Sequence, residues 1–250
     1  MLNKLMLASC LMLSLAAFAF AQTPAAPSQE PAMPNFNLVE YQFGILRRGP
    51  KWEPTTDANK EALTKLQAGH MANIQKMAAM GKLVAAGPMG DDGEIRGIFI
   101  CQAGSIEAAQ ALATDDPMIQ AGRLKLDWYV WQAPKGIGEK MLAEYKTNPA
   151  MKMTMTKYYL TLLIADPKAD ANATQKLLLP HLWDIRHNLD DKKYVSAGPF
   201  DGKSEIRGLF IINAASLDEA QAIAQSDPMV KAGLLKAEVH TWWVAKEVWQ

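Results

Sequence analysis

The sequence predicts an α+β protein made of two copies of one ferredoxin-like βαββαβ unit, their sheets packed face to face within one chain. Three observations carry this expectation. The chain repeats itself internally, both copies read as the same order of elements, and each copy alone leaves one sheet face bare.

The repeat comes first because it decides everything after it. Residues 70–131 align with 181–242 at a constant offset of 111 without a gap, and about 27 of those positions are identical. Val84-Ala85-Ala86-Gly87-Pro88 matches Val195-Ser196-Ala197-Gly198-Pro199, and Glu94-Ile95-Arg96-Gly97 matches Glu205-Ile206-Arg207-Gly208. Asp116-Pro117-Met118 with Ala121-Gly122 matches Asp227-Pro228-Met229 with Ala232-Gly233. Upstream the offset grows to about 117, so the first copy carries about six extra residues before its long helix.

Each copy opens on an apolar or alternating run, Leu38 to Leu46 and Lys157 to Ile164, which reads as a strand. A helix follows over Asp57 to Met80 and Thr174 to Leu189, with Leu63, Leu66, Met71, Ile74 and Met77 falling three to five residues apart. A short strand (Lys82 to Ala86; Lys193 to Ala197) runs into Gly-Pro, a turn signal. After a polar loop comes a third strand, Glu94 to Gln102 and Glu205 to Asn213. Ser105 and Ser216 then stand as N-caps before Ala-rich helices, with an acidic residue two places on. Asp-Pro ends that helix, and a last strand, Leu124 to Gln132 or Leu235 to Ala245, closes the unit. Two helices cover one face of such a sheet. The other face needs a partner, and the second copy is already attached through residues 133–153.

The order along the chain is therefore a signal peptide at 1–21, a Pro/Ala spacer at 22–35, repeat 1 at 36–132, a linker at 133–153 and repeat 2 at 154–250. Lys4, the uncharged run Leu5 to Phe20 and the small-x-small Ala19-Phe20-Ala21 predict export with cleavage after Ala21, to the periplasm or beyond the cell. Leu7-Ala8-Ser9-Cys10 fits a lipoprotein box, but the apolar run continues past Cys10, so lipidation there would leave a greasy mature terminus.

Composition narrows the partners. Lysines plus arginines number 26 and acidic residues 26, so no net charge draws the chain to nucleic acid or an anionic membrane. After cleavage Cys101 is alone, which removes an intramolecular disulfide; its run Ile98-Phe99-Ile100-Cys101 reads as buried strand. Fourteen methionines raise copper, but they form no dense cluster with histidine, and no metal or cofactor is expected. The expected partner is a small molecule, with no nucleic acid and no membrane after signal cleavage. The chain is expected to be a monomeric pseudo-dimer or a higher homo-oligomer.

A helix His, an Ala-Gly-Pro turn 17 residues on, and a helix ending in Asp-Pro-x-x-x-Ala-Gly resemble the YCII-related domain, and both copies show the pattern. The resemblance implies a dimeric α+β barrel with a His/Asp pair as an active site in the cleft beside the sheet. Relatives include an enzyme that removes chloride from a chlorinated hydroxyquinol, and muconolactone-isomerase-like proteins share the barrel. On this basis His70 with Asp116 and His181 with Asp227 are the catalytic candidates of a cofactor-free lyase or isomerase acting on a small cyclic or aromatic acid. The alternative is a non-catalytic binding or stress-associated module, in which each His is structural and each Asp caps a turn.

Gly69 and Pro180 precede the two histidines, so each helix is expected to begin or kink there, placing a neutral imidazole at a helix start. His187 and His240, which face Lys76 and Tyr129 in the alignment, read as surface or strand residues. Arg96 and Arg207 follow Glu94 and Glu205 by two residues. Each pair either binds a carboxylate or phenolate substrate or forms a cross-strand ion pair. Trp128, Trp131, Trp242 and Trp243 in the last strands read as packing residues.

Overall fold

A computed structural model describes residues 32–249; the signal segment and residues 22–31 of the spacer lie outside it. Repeat 1 runs β1 (Leu38–Arg48), α1 (Lys60–Ala79), β2 (Leu83–Pro88), β3 (Ile95–Cys101), α2 (Ile106–Ala113), α3 (Pro117–Gln120) and β4 (Leu124–Pro134). Helix α4 (Glu139–Thr147) lies in the connection. Repeat 2 repeats the order as β5 (Met155–Ala165), α5 (Ala171–Asp190), β6 (Tyr194–Pro199), β7 (Ile206–Ile212), α6 (Leu217–Ser226), α7 (Pro228–Lys231) and β8 (Leu235–Ala245). A 3-10 turn over Lys246–Trp249 follows.

Each repeat forms a four-stranded antiparallel sheet, ordered β2-β3-β1-β4 and β6-β7-β5-β8. This is the split βαβ order that the sequence predicts. Alternation along the strands sends Tyr41, Phe43 and Ile45 of β1 to one face, where they join Leu160 and Leu162 of β5 in a single cluster with Trp131 and Trp242. That shared cluster is the barrel interior, built from both repeats. Separate clusters under the helices, around Phe99 and Met77 in repeat 1 and Phe210 and Tyr194 in repeat 2, fill the outer faces.

Two reciprocal seams close the barrel. Met89 bridges to Trp242, and Trp131 bridges to Phe200. The Trp242 indole N–H donates to Gly87 O at 3.1 Å, and the Trp131 indole N–H donates to Gly198 O at 3.2 Å. A Cβ on Gly87 would stand 1.8 Å from Trp243 O, and one on Gly198 would stand 1.8 Å from Gln132 O. Both glycines lie within strands, so the Ala-Gly-Pro signature marks a close backbone crossing between repeats as well as the end of a strand.

Ser105 and Ser216 cap α2 and α6 by accepting from Ala108 N and Glu219 N. The helices carrying the histidines do not start at them, the first of the two expected arrangements. α1 and α5 are each continuous over 20 residues, so His70 and His181 lie mid-helix and no helix begins before them. Gly69 instead leaves room for Pro117 of α3, whose Cγ would be 2.7 Å from a Cβ there. Pro180 lies on an exposed face, where the carbonyl it leaves unbonded meets water. The connecting segment is also structured: Ile137, Met141 and Leu142 are buried in the barrel cluster. The extra residues of repeat 1 fall between β1 and α1, where the Arg48 guanidinium sits 3.9 Å over the Trp52 ring.

Candidate functional site

Helical spacing turns His70, Asn73 and Met77 of α1 toward the sheet as buried residues, and does the same for His181, Ile185 and Asn188 of α5. Below them the imidazoles lie over strand phenylalanines. His70 stacks on Phe99 with ring centres 6.0 Å apart, and His181 tilts over Phe210 at 6.2 Å. The partner carboxylates come from the Asp-Pro steps. Each Asp is the N-cap of a one-turn helix with Pro in its first turn, and each is wholly buried.

The two parts meet in both repeats. His70 Nδ1 lies 2.6 Å from Asp116 Oδ2, and His181 Nδ1 lies 2.5 Å from Asp227 Oδ2. The other oxygens accept backbone N–H groups: Met118 N to Asp116 Oδ1 at 2.9 Å, and Met229 N and Val230 N to Asp227 Oδ1 at 2.9 and 3.1 Å. Asn73 adds a longer bond to Asp116 Oδ2 at 3.5 Å. A carboxylate accepting on both oxygens leaves the proton on the imidazole, so Nδ1–H donates to the Asp and Nε2 is left to other partners. Burial pushes the Asp116 carboxyl up, but the His70 bond and charge, the Met118 N–H and the Asn73 amide together hold it below the usual carboxylate value.

Among the described residues no protein group hydrogen-bonds either Nε2, and neither Nε2 is sealed from solvent. Each imidazole side chain keeps 11% of its surface exposed. Two clefts of about 290 and 520 Å³ open elsewhere, and neither is lined by a His or Asp of the pairs.

The repeats differ beside these pairs. Asn73 is replaced by Asp184, and Leu83 by Tyr194. Burial and the nearby charge of Asp227 push the Asp184 carboxyl up, although Asn188 Nδ2 donates to its Oδ2 at 2.9 Å. The buried Tyr194 hydroxyl has no partner, and burial with the Asp184 and Asp227 charges drives its pKa upward. Sequence reasoning passed over position 73/184, although an amide or carboxyl three residues after each His, on the same helix face, was a readable signal.

Arg96 and Glu94 do not pair with each other. Arg96 Nη1 donates to Asp91 O, Asp92 Oδ1 and Gly93 O, holding its own loop, while Glu94 Oε1 lies 3.6 Å from Arg48 Nη1. Arg207 Nη1 makes a 3.5 Å bond to Gly202 O. None of these contacts involves a His/Asp pair, and neither Glu94 nor Glu205 is hydrogen-bonded through its side chain to its Arg. His187 is exposed beside Trp183, and His240 on β8 bridges Asp91 and Glu238 at 3.1 and 3.0 Å. Cys101 is fully buried, and burial pushes its thiol up to about 12, in keeping with a packing role. Among the described residues no group of three His, Cys, Asp or Glu side chains is placed to hold a metal ion, and no helix is long and apolar enough to cross a membrane.

Fold and paired sites together define a dimeric α+β barrel closed within a single chain. The chain belongs to the YCII-related domain family, whose model matches it twice, at residues 52–126 and 158–242. No curated protein matches it at a significant level. Among solved structures it is similar to a mutant chlorite dismutase from Candidatus Nitrospira defluvii, at 12% identity and TM-score 0.51 over 86% of this chain and 95% of that one. A second mutant of that enzyme, in complex with cyanide, matches at 12% identity and TM-score 0.50 over 84% and 91%. At these identities the likeness is one of fold.

Proposed function

We propose that this is an exported YCII-related protein that moves a proton on a small cyclic or aromatic acid, as a cofactor-free lyase or isomerase. The observation that carries the reading is the duplicated pair: in each repeat a buried Asp holds Nδ1–H, and no described residue hydrogen-bonds Nε2. An imidazole so oriented accepts a proton at Nε2 and returns it, while the Asp carboxylate stabilises the imidazolium between the two steps. Substrate binding in this reading falls to groups around the Nε2 edge. Arg96 and Arg207 with Glu94 and Glu205 supply it only if their loops move toward the pairs.

Turnover screens on lactones and chlorinated quinols, with His70→Ala/His181→Ala beside the wild type, test the proposal. Loss of a general base is expected to lower kcat by about 10²–10⁴. Equal turnover by the double variant overturns the catalytic role. Cleavage after Ala21 is checked by N-terminal sequencing of the protein from a periplasmic fraction.

One observation favours a second reading, a binding module without chemistry: neither described cleft is lined by a His or Asp of the pairs. Ligand-dependent thermal stabilisation with no product by mass spectrometry would support that alternative.

A further inference from the structure

The two His/Asp pairs have different neighbours. Three residues after His181, on the same side of α5, stands the half-buried Asp184, where repeat 1 has Asn73. One turn further on, Asn188 replaces Met77. The Asn188 amide donates from Nδ2 to Asp184 Oδ2 at 2.9 Å and to Asp184 O at 3.0 Å, which holds the carboxyl in one orientation. Among the described residues nothing hydrogen-bonds Asp184 Oδ1, and that oxygen, like His181 Nε2, is not sealed from solvent. With Oδ2 accepting from the amide, a proton on this carboxyl sits on Oδ1.

Repeat 1 offers no such group at this position. Asn73 turns inward, its Nδ2 donating to Asp116 Oδ2 at 3.5 Å and its Oδ1 sealed without a partner, and an amide gives up no proton at neutral pH. Side chains three apart on a helix are neighbours, with about 5–6 Å between Cβ atoms. One ring bridges that distance, so a single small substrate reaches His181 Nε2 and Asp184 Oδ1 together. The groups facing Asp184 are His181 and His187 on its own helix, Asp227 at the start of α7 and Tyr194 on β6. Burial and the Asp227 charge push Asp184 toward its neutral, proton-bearing form.

We infer, on the proton-transfer reading above, that Asp184 is the general acid of repeat 2, working with His181 as base on an unsaturated lactone. His181 Nε2 takes a proton from one carbon, the C–H electron pair moves into the conjugated system, and Asp184 Oδ1–H gives its proton to the carbon at the far end. The turnover leaves an imidazolium and a carboxylate. Transfer of one proton from the first to the second through water restores both.

Conversion of an unsaturated lactone by Asp184→Asn and Asp184→Glu, beside the wild type and His70→Ala/His181→Ala, tests the inference. Asp184→Asn is expected to lower kcat by about 10²-fold with KM little changed. Its Tm at pH 7 is expected to rise as the unfavourable buried charge is removed, so the loss of rate is not a loss of fold. Asp184→Glu should restore part of the rate, and the fall of kcat at high pH in the wild type should be absent from Asp184→Asn. Wild-type kcat in Asp184→Asn, or a reduced kcat that keeps the alkaline fall, overturns the assignment of the acid and leaves the role of the His/Asp pairs standing. A wild type that converts neither lactones nor chlorinated quinols overturns proton transfer at the pairs, and the assignment of Asp184 with it.

Discussion

Asp116 and Asp227 each divide their oxygens between an imidazole and the start of a short helix. Replacing Asp116 by Asn keeps an oxygen for the Met118 N–H but removes the charge opposite His70. Chemical denaturation at pH 7 should show a loss of about 1–3 kcal/mol. Because the Asp116 carboxyl is held below its ordinary value, its stabilisation is present above about pH 4 and is lost as the pH falls through the depressed value. The gap between wild type and variant should therefore close in strong acid. Asp184 behaves oppositely. Its raised value means that ionisation near neutral pH opposes folding, so Asp184→Asn should raise Tm at pH 7. That gain should vanish below about pH 4, where the carboxyl is protonated in the folded and unfolded states alike. At this scale the sequence made the pairs legible through their repetition. It did not reveal the Asp184/Tyr194 surroundings, because what distinguishes them is burial and the proximity of Asp227, 43 positions along the chain from Asp184.

Among the elements, the strand order and the Ser caps followed from local patterns. The helices around the histidines did not, since Gly69 and Pro180 look like breakers when read alone. In α1 the glycine answers to a neighbouring helix, and in α5 the proline sits where water can take up the freed carbonyl. Gly87 and Gly198 carry the same lesson: their need for a bare Cα comes from strands 156 and 66 positions away, at Trp243 and Gln132. Gly87→Ala or Gly198→Ala should cost at least about 3 kcal/mol or prevent folding, because the added carbon meets backbone that has nowhere to shift. A soluble variant with wild-type Tm would show that the seam can open.

Across the whole molecule, the barrel cluster draws on both repeats and on the α4 connection. Residues 33–134 expressed alone expose Tyr41, Phe43, Ile45 and Trp131 on one face and should self-associate or aggregate. A folded monomer of that fragment by light scattering would refute this. The α4 connection has one more consequence. In a barrel assembled from two identical subunits, every substitution appears in both halves together. Here a mutation alters one half only, so Asn73 and Leu83 stand in one copy while Asp184 and Tyr194 stand in the other. Covalent joining thus releases the halves from mirrored inheritance, and either one is free to change while its twin stays as it is.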